Sequence, residues 1–162
     1  MSELKRISHL FEECFEGKPA WHGSSVLELL EDVTAEKALR RPIPQAHSIW
    51  EIVLHLIVWD DETRKCLEGE AFPRLDGDEN WPPINDTREE GWKETVEELR
   101  RVHQRLHETL AKFDPVKLDH KINIDESYPA PWSTTSYYEL LHGTIHHDVY
   151  HTGQIAILKK KD

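Results

Sequence analysis

Apolar residues along the chain recur at helical rather than strand spacing. Leu4, Ile7, Phe11 and Phe15 mark a first helix, broken by Gly17, Pro19 and Gly23. Val26, Leu27, Leu29 and Leu30 mark a short second element, with one more turn over residues 34–39. Pro42 and Pro44 then stop the helical pattern. A second long helix is expected from Ser48 to about Glu68. Ser48 and Glu51 form a capping box, in which the serine hydroxyl and the carboxylate three residues on satisfy each other's backbone N–H groups. Residues 69–86 carry Pro73, Gly77, Pro82 and Pro83 and read as a loop. Thr87 and Glu90 form another capping-box pattern, and the third helix it opens runs to about Phe113, before Asp114 and Pro115. Residues 121–124 fit a brief extended piece, and residues 129–131 a loop. A fourth helix starts near Thr135 or Ser136, with Ser136 and Glu139 as its box. It ends in Lys159, Lys160 and Lys161, cations that suit the negative end of a helix.

Four long helices joined by loops predict an all-α, antiparallel four-helix bundle with an additional short helix between the first and second long ones. The whole chain, residues 1–162, reads as one domain. The third helix shows a seam at Trp92, Val96, Leu99, His103, Leu106, Leu110 and Phe113, in alternating steps of four and three, as bundle-core positions run. The connecting loops are long for a bundle, and long loops in compact domains are often functional.

Charge narrows the partners. Lys and Arg number 20 against 31 Asp and Glu, a net charge of -11. That argues against nucleic acid, whose affinity comes from cationic contacts, and against an anionic membrane surface. Cys14 and Cys66 stand far apart and form neither a disulfide framework nor a C-x-x-C pair. The N-terminal stretch lacks the apolar core of a signal peptide, and no apolar run reaches the length of a membrane span. A cytoplasmic location is expected.

Histidine is the unusual component, with 11 in the chain. In the second long helix the run from Ile49 to Trp59 holds only Glu51 and His55 as polar groups. A helix apolar all round is buried. His55 must therefore find a partner inside the protein, a carbonyl or a tyrosine hydroxyl serving as well as a metal. Glu51 lies one turn earlier and can face the same place, although its capping box already explains it. In the fourth helix His147 and His151 stand four apart on one face, a spacing that lets two neutral imidazoles bind one ion. His142 and His146 form a competing pair. The seam Leu140, Thr144, His147, His151, Gln154 and Leu158 favours His147 and His151 as the inward pair and leaves His142 and His146 on the other side. Two imidazoles hold an ion weakly, so a third ligand from another helix is required, and His55 is the obvious candidate. His103, on the third helix's seam, reads as a core histidine. The patterns of zincins, nucleophile-elbow hydrolases, Walker-loop proteins and di-iron carboxylate bundles are missing.

The run HSIWEIVLHLIVWDD, followed after a long interval by HHDVYHTGQIAILKK, resembles the DinB-like superfamily, which is grouped with YfiT-like metal proteins. WHGSSVLELLEDVTAEKALRRPIP is similar to the same family's region before its second helix. The resemblance implies a four-helix bundle with a three-histidine site for a divalent metal, zinc, nickel or iron. By position its ligands are His55, His147 and His151. It further implies a metal-dependent thiol S-transferase or hydrolase acting on a small molecule, the transferase using bacillithiol or another low-molecular-weight thiol. The alternative is a non-catalytic stress-response metal-binding protein or interaction module. Gln154 is expected beside the metal ligands or the substrate, Trp59 and Trp21 as pocket walls, and a homodimer as the assembled form.

Overall fold

A computed structural model describes residues 1–18, 20–124, 128 and 134–160. The helix break expected at Pro19, the loop at 129–131 and the terminal Lys161 lie outside the described residues. Among them are seven α-helices, α1 (Glu3–Glu16), α2 (Val26–Leu30), α3 (Ala35–Leu39), α4 (Ile49–Leu67), α5 (Gly77–Asn80), α6 (Glu89–Lys112) and α7 (Tyr137–Lys159), with a 3-10 turn at Pro115–Lys117. The described residues hold no strand. The extended piece expected at 121–124 is reduced to isolated bridges, Phe72 with Ile124 and Lys121 with Ser136.

The long helices α1, α4, α6 and α7 form a bundle in which α4 packs on α6 and α7, and α1 packs on the same two. Side-chain pairs fix the directions. Between α1 and α6, Ser8 Oγ meets His107 Nε2 at 3.0 Å while Phe15 stacks on His103, so these two run antiparallel. Between α4 and α7, His55 faces His147 and His151, and Thr63 Oγ1 meets Thr144 Oγ1 at 3.0 Å. This pair is antiparallel too. Between α4 and α6 the order is the opposite one: Trp50 Nε1 donates to Thr95 Oγ1, His103 faces Asp60, and Thr109 Oγ1 donates to Glu68. The expected bundle is therefore present, but antiparallel pairing does not hold throughout, since α4 and α6 run parallel. The physical reason is the length of the connection. Residues 68–88 can reach on the order of 70 Å when extended, and α4 is only about 28 Å long, so the chain can return to the end where α4 began.

Local chemistry places the helix starts. The capping boxes at Ser48 with Glu51 and at Ser136 with Glu139 are both formed. The box expected at Thr87 and Glu90 is not, and α6 begins after Arg88 with no side-chain cap. The neighbouring acids act elsewhere. Asp86 Oδ1 accepts from the Arg88 backbone N–H at 3.0 Å, and Glu89 Oε2 accepts from Ala35 N–H at 2.8 Å, tying α6 to the start of α3. A Cβ at Gly91 would stand 2.6 Å from the Asp86 carbonyl, so only glycine lets the loop lie this close to the first turn.

Among the described residues, two large apolar clusters and a small one of Cys66, Ile122 and Leu140 fill the interior. One of the large clusters gathers Val26, Leu30, Ile49, Trp50, Val53, Leu56, Trp92 and Leu99 around α2, α3, α4 and α6. The other gathers Ile7, Phe11, Leu106, Leu110, Leu141 and Ile145 at the far end of α1, α6 and α7. Cys14 and Cys66 are free and buried, and burial pushes both thiols up to about 12. No helix among the described residues is long and apolar enough to cross a membrane.

Candidate metal site

The capping box at Ser48 starts α4 so that His55 falls two turns in, on the side facing α7. The antiparallel run of α7 brings His147 and His151 opposite it. The three Nε2 atoms converge: His55 to His147 at 3.0 Å and His151 to His147 at 3.1 Å. Among the described residues this is the group of His, Cys, Asp and Glu whose ligand atoms all lie within 4.8 Å of one another.

The far side of each ring decides what the converging atoms are. His55 Nδ1–H donates to the Asn80 carbonyl at 2.8 Å, and His151 Nδ1–H donates to Gln154 Oε1 at 2.7 Å. Carbonyl oxygens only accept, so both rings are protonated at Nδ1 and present bare Nε2 lone pairs. Burial holds all three imidazoles down at about 4, the neighbouring rings adding to the effect. They are neutral near pH 7. Three facing Nε2 atoms then have at most one proton among them, from His147, and one N–H cannot satisfy two lone pairs. A cation at the centre satisfies all three. Nitrogens bound at about 2.0–2.1 Å to one tetrahedral ion stand roughly 3.3 Å apart, close to the spacings found here. The residues present fit a divalent metal.

Aromatic rings brace the site. Trp81 stacks on His55 with centroids 3.9 Å apart, and His47 stacks on Trp81 at 3.5 Å. Trp59 stands edge-on to His55 and His147, its Nε1–H donating to Asn80 Oδ1 at 2.9 Å. Asn80 thus orients both the imidazole and the indole. Above the histidines opens a cavity of about 610 Å³, lined by all three of them.

The family model of the DinB superfamily matches residues 20–155. The chain belongs to the DinB superfamily. No curated protein and no solved structure matches it. The span matched includes His55, His147 and His151, the three residues to which the superfamily resemblance assigned the metal.

Within this DinB-superfamily chain the other expected residues fall in several places. Gln154 lines the cavity and holds His151. Trp59 contacts the histidines at their edge but does not line the cavity. Glu51 is spent on its capping box and on an ion pair with Arg41. Trp21 is 94% exposed, with its backbone N–H bonded to Glu13, and lies outside the cavity wall. His103 is a core residue, stacked on Phe15 with centroids 3.7 Å apart. His142 packs beside Tyr138 and His146 on the outer side of α7. Neither Glu51 nor His103 closes the coordination shell.

Four residues around the site escaped the sequence reading. Asn80 and Trp81 sit in what reads as a loop, and nothing local marks them. Asp60 and Asp148 are the others, 2% and 6% exposed. Asp148 Oδ1 is unpartnered and lies 3.7 Å from His147 Nδ1, itself unpartnered. Asp60 Oδ2 lies 3.6 Å from His103 Nδ1. Burial, and then the nearby Asp60 charge, push the Asp148 carboxyl well above the usual range. A signal for Asp148 did exist. Leu141, Ile145, Asp148, Thr152 and Ile155 alternate steps of four and three, a second buried stripe beside the histidine one.

Proposed function

We propose that His55, His147 and His151 hold one divalent metal ion and that the chain is a metal-dependent enzyme, a thiol S-transferase or a hydrolase, acting on a small molecule. One observation carries the reading: three bare or nearly bare Nε2 atoms converge at the floor of a cavity large enough for a ligand. Three protein ligands with one open side are the pattern of catalytic sites, whereas structural sites are closed by four.

When bound, the ion would lower the pKa of a coordinated water or thiol, making a nucleophile available near neutral pH. The chain's own residues prepare the place. The Asn80 carbonyl and the Gln154 amide oxygen fix the tautomers of His55 and His151 and hold their rings in plane. Trp81 lies flat on His55 and keeps water from that face. Neutral imidazoles, kept so by burial, remain free to ligate throughout the neutral range.

Homodimer assembly belongs to the same proposal. Its support is the outer side of α7, where Tyr138, His142 and His146 follow at four-residue steps without a charged group. Sedimentation at micromolar concentration as a single 19.0 kDa chain would reject it.

The test of catalysis is turnover. Metal-loaded protein is incubated with bacillithiol, or another cellular thiol, and a panel of electrophiles, beside the His55→Ala variant. The enzyme reading expects product from the native chain and none above background from the variant. Equal rates on every substrate leave a metal-binding protein without turnover.

A further inference from the structure

The cavity has a second wall that metal binding does not use. Ile43, Ile52, Leu158 and the Trp81 indole form it, and Tyr150 and Ile157 stand at its edge. Tyr150 is 64% exposed and Ile157 58%, on a chain in which 31% of residues are charged. Leaving two such side chains in water forgoes the stabilisation that covering them would give, and a ligand seated against this wall supplies it.

The polar atoms of the lining are only partly committed, since the Nδ1 atoms of His47 and His147 have no hydrogen-bond partner. Asn80 serves His55 and Trp59, Gln154 serves His151, and the His47 ring lies flat on Trp81. Among the described residues that line the cavity there is no Lys, Arg, Asp or Glu. Arg41 and Glu51 lie close in sequence to the lining residue His47, but they neutralise one another in an ion pair. Apart from the ion the histidines would hold, an anionic ligand would meet no countercharge here, and a carboxylate laid on this wall away from that ion would lose hydration unpaired. An uncharged apolar one would lose only unfavourable contact with water.

We propose that the cavity takes an uncharged small molecule with an apolar body, laid against Trp81, Ile157 and Tyr150 with its polar head toward the histidines. Thiols whose far end carries a carboxylate are poor ligands for this wall. The inference deepens the reading of the histidines as a metal site and rests on it for the placement of the head group.

Hexanethiol and mercaptohexanoate test it, since they share the thiol and the chain and differ in a terminal carboxylate. Affinities are measured by calorimetry on cobalt-loaded and on metal-free protein, after cobalt content per chain has been determined. Hexanethiol is expected to bind the loaded protein about tenfold or more tightly than mercaptohexanoate. Ile157→Lys, a change at an exposed position, is expected to narrow or reverse that ratio. Equal affinity, or preference for mercaptohexanoate in the native chain, overturns the proposal, as does a ratio that Ile157→Lys leaves unmoved. The two readings fail separately. A chain that takes up no cobalt yet prefers hexanethiol keeps the cavity assignment and loses the metal. A chain that binds one cobalt and prefers mercaptohexanoate keeps the metal and loses the ligand class.

Discussion

Helix α7 buries two stripes side by side, and they treat polar groups in opposite ways. On one, His147, His151 and Gln154 face a cavity, and Gln154 accepts the far-side hydrogen of His151, as Asn80 does for His55 across the interface. On the other, Asp148 lies among Leu141, Ile145, Thr152 and Ile155, sealed in the core with Asp60 and His103 near it. There Asp148 Oδ1, Asp60 Oδ1 and His103 Nδ1 have no hydrogen-bond partner. The difference shows what burial does to ionisable groups. Burial with an acceptor behind the ring leaves a histidine neutral, oriented and ready to ligate. Burial of a carboxyl beside another carboxyl drives it toward the protonated form. The His147 Nδ1 atom, 3.7 Å from Asp148, is where the stripes touch.

The largest effect that separates the stripes is acid. His55, His147 and His151 are held at about 4, below the ordinary value near 6.5. The unfolded chain therefore binds more protons than the folded one in that window. The stability these groups contribute is full above about pH 6.5 and is lost as the pH falls through about 4. Thermal melts of metal-free protein should show a falling midpoint across this range, and replacing His147 by Gln should flatten the slope. A midpoint constant from neutral pH to about pH 4 would break the contrast.

Next comes Leu141→Ala on the apolar stripe. Leu141 is fully buried, and the cavity left behind should cost about 2–5 kcal/mol in denaturant melts. Metal stoichiometry should not change, because the residue packs in the apolar cluster that holds none of the three histidines. A loss of metal with intact folding would show that the stripes are not separable.

Asp148→Asn should be the smallest in stability and the most informative about the contact between stripes. The Asp148 carboxyl is raised, so its stabilising share is present at low pH and lost as the pH rises through the raised value. The amide cannot ionise, and the metal-free variant should be more stable than the native chain at pH 7. Metal affinity should change by less than about tenfold, because Asp148 Oδ1 lies 3.7 Å from His147 Nδ1 and makes no hydrogen bond to it. Calorimetric titration with a divalent ion checks the second outcome, and a fall of about 10–100-fold would show that the Asp148 carboxyl does orient His147.

What the sequence disclosed follows from range. The long helices, two of their capping boxes and the α6 seam are local patterns, set by residues three or four apart, and they read directly. The convergence of His147 and His151 is equally local, and the apolar surroundings of His55 mark it as buried. The direction of α6 relative to α4 is not local; it depends on how residues 68–88 return. The roles of Asn80 and Trp81 depend on the same return and have no signature of their own. At the failed box of Thr87 and Glu90 the helix starts one residue late, after Arg88, with Glu89 at its first position bound to the Ala35 N–H. Asp148 is hidden for another reason: the histidine stripe next to it already accounts for the inward face of α7, and the second periodicity runs beside it on the same helix.

Metal content of the purified chain, determined beside that of His151→Ala after both are reconstituted with a divalent ion and freed of excess, tests the central claim most directly. The account predicts one ion per native chain and a large loss in the variant, with both proteins helical by circular dichroism. Equal stoichiometry in the two folded proteins would contradict it.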